Sequence, residues 1–330
     1  MNMRNPFIAD LTTHVIADPA AGISEETALR LAALPDTDLP DLIAGAHAVT
    51  AACASGDFFT CTIINAKSGR CSQDCAFCAQ SARHDTGVAT YPLLSKAEMV
   101  ARALEMDRVN ATHFSMVTSG PRLNDDEIDI IADAAADIRA KTTLSVCCSL
   151  GMITARQAEK LHDSGVTRYH HNLETARSFF PEICTTHDYD EDIETLKTAA
   201  AAGLSACSGG IMGLGESWPQ RVELAFTLKS LNVPRVPINF LNPIPGTRLA
   251  NRPLLSPLDA LKSIALFRFI LPAADITICG GREPTLKDFQ SWVFPAGANG
   301  LMIGNYLTTR GRDLAADLEM ILSWRGLRGQ

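Results

Sequence analysis

The chain has no long apolar run. No stretch of its 330 residues approaches the ~18 consecutive apolar residues that a membrane-spanning helix needs. The opening segment, MNMRNPFIADLTTHVI, has no apolar h-region and no small-residue cleavage site, so no secretory signal is expected. Positive charge is in short supply as well. The formal net charge is −8, which disfavours a nucleic-acid surface. Charge blocks and low-complexity segments are absent. Without export signals, the ten Cys point to a reducing compartment, the cytoplasm, where thiols serve metals or catalysis rather than disulfides.

What is present is an alternation. Residues 23–54 read as two helices, the first opened by Ser24 as N-cap. Short apolar runs then recur at 58–66, 112–118, 143–150, 167–174, 204–212, 235–241, 275–281 and 299–304. A helical pattern follows each one, two of them with capping boxes at Ser95/Glu98 and Thr154/Gln157. Strands alternating with helices imply parallel βαβ units. Eight such units predict a (β/α)8 TIM-type barrel over residues 58–330, preceded by an N-terminal helical extension over 1–57. An open doubly wound sheet is the competing arrangement.

Chemistry concentrates in the octet CSQDCAFC after the first strand, which sets Cys71, Cys75 and Cys78 in a C-x3-C-x2-C spacing. Three thiolates suit zinc or an iron–sulfur cluster. A structural zinc or an electron-transfer cluster usually takes four protein ligands. Three Cys on a four-iron cube leave one iron open. A zinc knuckle lacking one ligand is the plain alternative. With Phe77 before the third Cys, the spacing resembles the radical S-adenosylmethionine (SAM) enzymes. In these the open iron chelates SAM, and an electron releases a 5′-deoxyadenosyl radical.

Barrel chemistry sits at strand C-termini. Ser115, Cys147, Cys148, Asn172, Glu174, Cys207, Asn239, Cys279, Thr308 and Thr309 all fall on or just after strands. Such groups are costly in a core unless satisfied or bound, so they predict a lined cavity. Cys147, Cys207 and Cys279 lie on three strands and form a candidate second metal site. Cys148 faces the other way on a regular strand, and Ser115 is a weaker candidate ligand. Cys61 and Cys184 read as structural, with an approach to the SAM site as the alternative for Cys184, and Arg282 and Glu283 have no assigned role.

The ordered series IINAKSG, CSQDCAFCAQSAR, YHHNLET, ACSGGIMGLGE, VPINFLNPIPGTRL, CGGRE and FPAGANGLMIGNYLTT resembles the biotin synthase family over about residues 58–310. The resemblance implies that Cys71, Cys75 and Cys78 hold a SAM-binding [4Fe–4S] cluster. Asn172 and Glu174 match positions near SAM, and Glu174 faces its ribose. Asn172 and Asn239 match contacts to the dethiobiotin ureido ring, and Thr308 and Thr309 the pair that holds the substrate carboxylate. A second cluster deep in the barrel supplies sulfur, and its ligands match Cys147 and Cys207. Inserting sulfur between two unactivated carbons takes a hydrogen from each, so two SAM cleavages per product are implied. Flavodoxin or ferredoxin is the implied electron donor, and a homodimer the implied assembly.

The chain departs from the family pattern at the second cluster. Ser115 replaces a Cys and Thr277 an Arg, while Cys279 appears two residues beyond Thr277 on the same strand face. His187 stands where an Arg often serves the SAM carboxylate. The expectation is a four-iron auxiliary cluster on Cys147, Cys207 and Cys279, its fourth iron open or bound by Ser115 or an extra sulfide, rather than a [2Fe–2S] site. A related radical SAM sulfurase or maturase, or an iron–sulfur sensor without turnover, stays open at this point.

Overall fold

A computed structural model describes residues 3–56 and 58–327. Three helices come first: α1 (Pro6–Ala17), α2 (Glu25–Ala32) and α3 (Leu39–Cys53). The pattern at 23–54 anticipated the second and third. The first begins where Asn5 accepts a hydrogen bond from the Ile8 amide and Pro6 takes the first turn.

The barrel strands are β1 (Phe59–Lys67), β2 (His113–Thr118), β3 (Ser145–Ser149), β4 (Arg168–His170), β5 (Ser205–Cys207), β6 (Gly210–Met212), β7 (Arg235–Phe240), β8 (Asp275–Ile278) and β9 (Gly300–Met302). Their order is β5-β4-β3-β2-β1-β9-β8-β7-β6, with every pairing parallel. A pairing of Cys207 with Arg235 joins β5 to β7 and closes the ring. The nine segments therefore fill eight barrel positions, because β5 and β6 are one strand interrupted at Ser208 and Gly209. A Cβ on Gly209 would lie 1.8 Å from the Pro237 carbonyl oxygen, and one on Gly210 2.4 Å from that of Glu174. The neighbouring backbones close on this strand only because both side chains are missing.

The outer helices are α4 (Lys96–Arg108), α5 (Asp125–Lys141), α6 (Ala155–Asp163), α7 (Phe180–Ile183), α8 (Tyr189–Ala201), α9 (Trp218–Ser230), α10 (Pro257–Ile270), α11 (Arg282–Leu286) and α12 (Leu314–Leu327). Capping boxes close the N-termini of α4, α5, α6, α8 and α9. Alternation along the strands sends apolar side chains outward. Phe114, Met116, Val146 and Cys148 pack with Met99, Ile131 and Leu161 of the helices. Removing these side chains from water stabilises each by about 1.5–3 kcal/mol. The inward positions of the same strands carry Ser115 and Cys147, so the lumen is left for polar and thiol groups.

The N-terminal helices pack against α10, which is buried along nearly its whole length. A Cβ on Gly45 would lie 2.6 Å from Thr12 Oγ1 and 2.9 Å from the Phe269 ring. No helix among the described residues is long and apolar enough to cross a membrane.

Candidate active site

A cavity of about 450 Å³ enters at the C-terminal end of the barrel and runs down its axis. At its mouth is the loop after β1. Gly69 (φ 77°) and Arg70 (φ 55°) turn the chain there in left-handed conformations. The loop then pairs with itself: the Cys71 amide donates to the Gln80 carbonyl at 2.9 Å and the Ala82 amide to the Cys71 carbonyl at 2.7 Å. Buried Gln80 fixes the base of the turn, its Oε1 accepting from Ser68 Oγ (3.0 Å) and the Gly69 amide (3.2 Å). Cys71, Cys75, Cys78 and Phe77 all line the cavity. Burial pushes the Cys78 thiol up to about 11; donation to the Cys184 sulfur, and then burial, raise Cys75. Iron bound to these sulfurs would displace their protons.

The loop between α7 and α8 is latched onto this one. Asp74 accepts from the Thr185 amide (2.9 Å) and hydroxyl (2.6 Å). Gln73 Oε1 lies 2.5 Å from Thr186 Oγ1 and 2.9 Å from His187 Nδ1. Buried Asp192 bridges His171 Nε2 (2.7 Å) and His187 Nε2 (3.3 Å). Burial works against a charge on His187, but Asp192 and Cys184 outweigh it and lift the imidazole to about 10. His187 is thus a cation beside the Cys triad. Cys184, read from the sequence as structural, also lines this end of the cavity.

Beyond β4 the chain places Asn172 and Glu174. Glu174 has φ 61°, costly for a non-glycine residue and held here by the Ile211 amide donating to its carbonyl at 2.8 Å. Asn172 Oδ1 accepts from the Gly209 amide (3.1 Å) and its Nδ2 donates to Glu174 Oε2 (3.2 Å). Burial, and then the charge of Asp192, push the Glu174 carboxyl up to about 8. Asn239, on β7, accepts from the Gly280 amide at 3.0 Å. Thr308 and Thr309 follow β9 and line the same space. Every site residue expected from the sequence therefore faces one cavity: the Cys triad, Phe77, Asn172, Glu174, His187, Asn239, Thr308 and Thr309, together with Cys147, Cys207 and Cys279.

The deep end follows from strand register. Cys61 pairs with His113 and His113 with Ser145; Cys147 with Arg168 and Arg168 with Ser205; Cys207 with Arg235 and Arg235 with Asp275; Thr277 with Gly300 and Gly300 with Phe59. Barrel strands tilt, so residues at one height on alternate strands are offset from that register by two positions. Applied around the ring, the offset takes Cys61 to Cys147, Cys147 to Cys207, Cys207 to Thr277, and Thr277 back to Cys61. These four form one layer. His113, Arg168 and Arg235 lie beneath it, and Ser115 and His170 above. Cys279 stands one step further toward the mouth. Cys148 packs in the outer core instead.

Several buried atoms here have no hydrogen-bond partner among the described residues: Ser115 Oγ, Thr277 Oγ1, Arg168 Nε, and Nε and Nη1 of Arg235. Orphans gathered at one place suit a group that accepts from them. Burial pushes Cys147 to about 11 and Cys207 to about 12, with Arg168 opposing it at both. Sequence reading placed neither Cys61 at the height of Cys147 and Cys207 nor the two arginines beneath them. Their partners are far away along the chain, and only the register brings them together.

The geometry of a barrel with three thiols in the loop after its first strand agrees with the comparisons. Residues 66–228 match the radical SAM superfamily, and residues 237–326 the biotin and thiamin synthesis associated domain. Among solved structures, methylornithine synthase superposes with a TM-score of 0.81 at 17% identity, covering 94% of this chain and 96% of that one. The FeFe-hydrogenase maturase HydG from Carboxydothermus hydrogenoformans gives 0.78 at 16%, covering 98% and 80%. At such identities these two show the fold alone. Fold and family match together define a radical SAM enzyme, a class that works with a [4Fe–4S] cluster and SAM. Biotin synthase of Syntrophus aciditrophicus (strain SB) is 56% identical over 96% of this chain and 99% of its own length. That of Nitratidesulfovibrio vulgaris (strain DSM 19637 / Miyazaki F) is 52% identical over 92% and 86%. The chain belongs to the biotin synthase family.

Proposed function

We propose that this enzyme converts dethiobiotin to biotin by radical SAM sulfur insertion, each residue acting from the position described above. One observation carries the reading. A single cavity joins three thiols at its mouth to further thiols at its base, with amide and hydroxyl side chains between them. Cys71, Cys75 and Cys78 would hold the [4Fe–4S] cluster, with Phe77 beside it. With that cluster and SAM bound, the site gains a 5′-deoxyadenosyl radical, able to take hydrogen from an unactivated C–H bond.

The chain's own part is placement and exclusion of water. Glu174 accepts from the SAM ribose, and cationic His187 meets the SAM carboxylate. Asn172 and Asn239 orient the ureido ring, and Thr308 and Thr309 hold the substrate carboxylate. Cys147, Cys207 and Cys279 would hold an auxiliary iron–sulfur cluster of the four-iron type, the source of the inserted sulfur. The unpartnered atoms of Ser115, Thr277, Arg168 and Arg235 support a bound group at that depth.

Residues 1–57 are an N-terminal helical extension to a barrel domain over 58–330; residues 1–2, position 57 and residues 328–330 lie outside the described residues. The enzyme works in the cytoplasm as a homodimer, with flavodoxin or ferredoxin as electron donor. The test is anaerobic reconstitution with iron and sulfide, then incubation with SAM, a reductant and dethiobiotin, read by mass spectrometry. Biotin together with 5′-deoxyadenosine is expected. Abundant 5′-deoxyadenosine without biotin would assign the altered base of the cavity to another substrate.

A further inference from the structure

The thiol layer holds a residue that neither the resemblance nor the spacing of the other cysteines assigns. Cys61 occupies the same height as Cys147 and Cys207, each on an alternate strand, and all three point into the lumen. Cys279 stands one step above, over the Thr277 corner of that layer. Three thiols in a plane and a fourth above it make a tetrahedron. The four irons of a cube present their outward valences in that arrangement, and four thiolates are its ordinary protein ligands.

The layer beneath completes the site. Arg235 is 5% exposed, stacks on the Phe59 ring at 3.9 Å and pairs with Asp275 through Nη2 at 2.9 Å. Its Nε and Nη1 are left without partners, as is Arg168 Nε, while Arg168 Nη1 lies 3.7 Å from Cys147 Sγ. Unpaired guanidinium N–H groups this deep are costly unless an anionic acceptor sits against them. The sulfides and thiolates of a cluster are such acceptors.

We propose that Cys61 is the fourth protein thiolate of the auxiliary cluster, forming its base with Cys147 and Cys207, with Cys279 as the apex facing the substrate. The proposal rests on the reading that an auxiliary four-iron cluster occupies this depth. On binding, the Cys61 thiol proton leaves to solvent and an Fe–S bond replaces the S–H bond, with no change of oxidation state. With four protein thiolates the cluster would be held without calling on Ser115 as a ligand. Ser115, one layer higher, is left as a hydrogen-bond donor.

The experiment starts from the Cys71/Cys75/Cys78→Ala triple variant, reconstituted anaerobically and read by iron and sulfide counts, Mössbauer and EPR spectra. That variant is expected to keep a four-iron cluster. Adding Cys61→Ala should cost the four-iron spectrum, leaving a three-iron signal or none. Cys61→Ser should keep iron with shifted g values in the reduced state. Cys148→Ala, which faces the outer core, should change nothing. An iron count and spectrum indifferent to Cys61→Ala overturn the proposal. A triple variant holding only two irons, or none, overturns the auxiliary-cluster reading beneath it. If the combined variants do not fold, Cys61→Ser in the otherwise unaltered enzyme decides the matter through the same shift in g values.

Discussion

Cys184 Sγ lies 3.9 Å from Cys75 Sγ, across the join between the Cys-triad loop and the loop that follows α7. Hydrogen bonding from Cys75, and from His187 Nδ1 at 3.2 Å, holds the Cys184 thiol down at about 4, with burial opposing. A thiolate beside a cluster ligand is harmless while that ligand is bound to iron. In cluster-free protein it is a nucleophile facing a free thiol. Exposure of cluster-free protein to air should therefore give a Cys75–Cys184 disulfide, detected by peptide mapping after alkylation. Cys184→Ala should block it and speed cluster uptake. Recovery of both residues as free thiols after oxidation would sink the idea.

The His187–Asp192 contact has a pH signature. The folded protein raises His187 from 6.5 to about 10. Its contribution to stability is whole below about 6.5 and drains away as pH climbs through about 10. The latch from Gln73 to His187 should loosen over that interval, and melting temperature should fall with it. Asp192→Asn removes the bridging carboxylate, so the decline should still begin near 6.5 but end at lower pH and be smaller in total. Melts of both proteins across this range check it; identical pH profiles would show that Asp192 does not set the charge.

Glu174 offers a different readout. Burial and the Asp192 charge push its carboxyl up to about 8, so it is largely protonated at neutral pH. A SAM ribose needs the ionised acceptor, and the sulfonium nearby favours it. Binding of SAM to the reconstituted enzyme near pH 7 should then release a proton. Calorimetry in buffers of different ionisation enthalpy measures the release. Glu174→Gln should abolish it while weakening SAM about tenfold, the equivalent of ~1.4 kcal/mol from a lost charged hydrogen bond. Equal proton release by both proteins would place the titrating group elsewhere.

The sequence made most of this site legible because barrel chemistry lies where strands end. Reading eight strands was therefore enough to collect Asn172, Glu174, Asn239 and Cys279 around one axis. It failed where information is shared between distant strands. Cys61 looks like any small residue on an alternating strand until the register sets it level with Cys147 and Cys207. Arg168 and Arg235 are charges in an inward position, which a propensity argument has no means to value. The split of the fifth strand was also hidden, since 204–212 read as one strand until the Pro237 and Glu174 carbonyls are seen against Gly209 and Gly210. The helix α1 was missed although Asn5 and Pro6 mark its start.

Arg282, without a role in the sequence, is now placed. It is 1% exposed, forms an ion pair with fully buried Asp317 of α12, and donates through Nη1 to Gln290 Oε1 at 2.5 Å. Its neighbour Glu283 accepts from Tyr306 Oη (2.8 Å) and the Arg312 amide (3.0 Å), on either side of Thr308 and Thr309. Arg282 and Glu283 thus anchor the segment that carries Thr308 and Thr309. Asp317→Asn leaves the buried Arg282 cation with only the longer Glu283 contact at 3.6 Å as a charged partner, a loss of about 3 kcal/mol. Replacing both members by Arg282→Met and Asp317→Leu removes the stranded charge and should recover most of the stability. It should not recover the dethiobiotin KM fully, because the 306–312 loop loses the Glu283 anchor when α11 repacks. Melting curves and KM for the two variants separate these effects. Additive destabilisation in the double variant would show that Arg282 and Asp317 act independently.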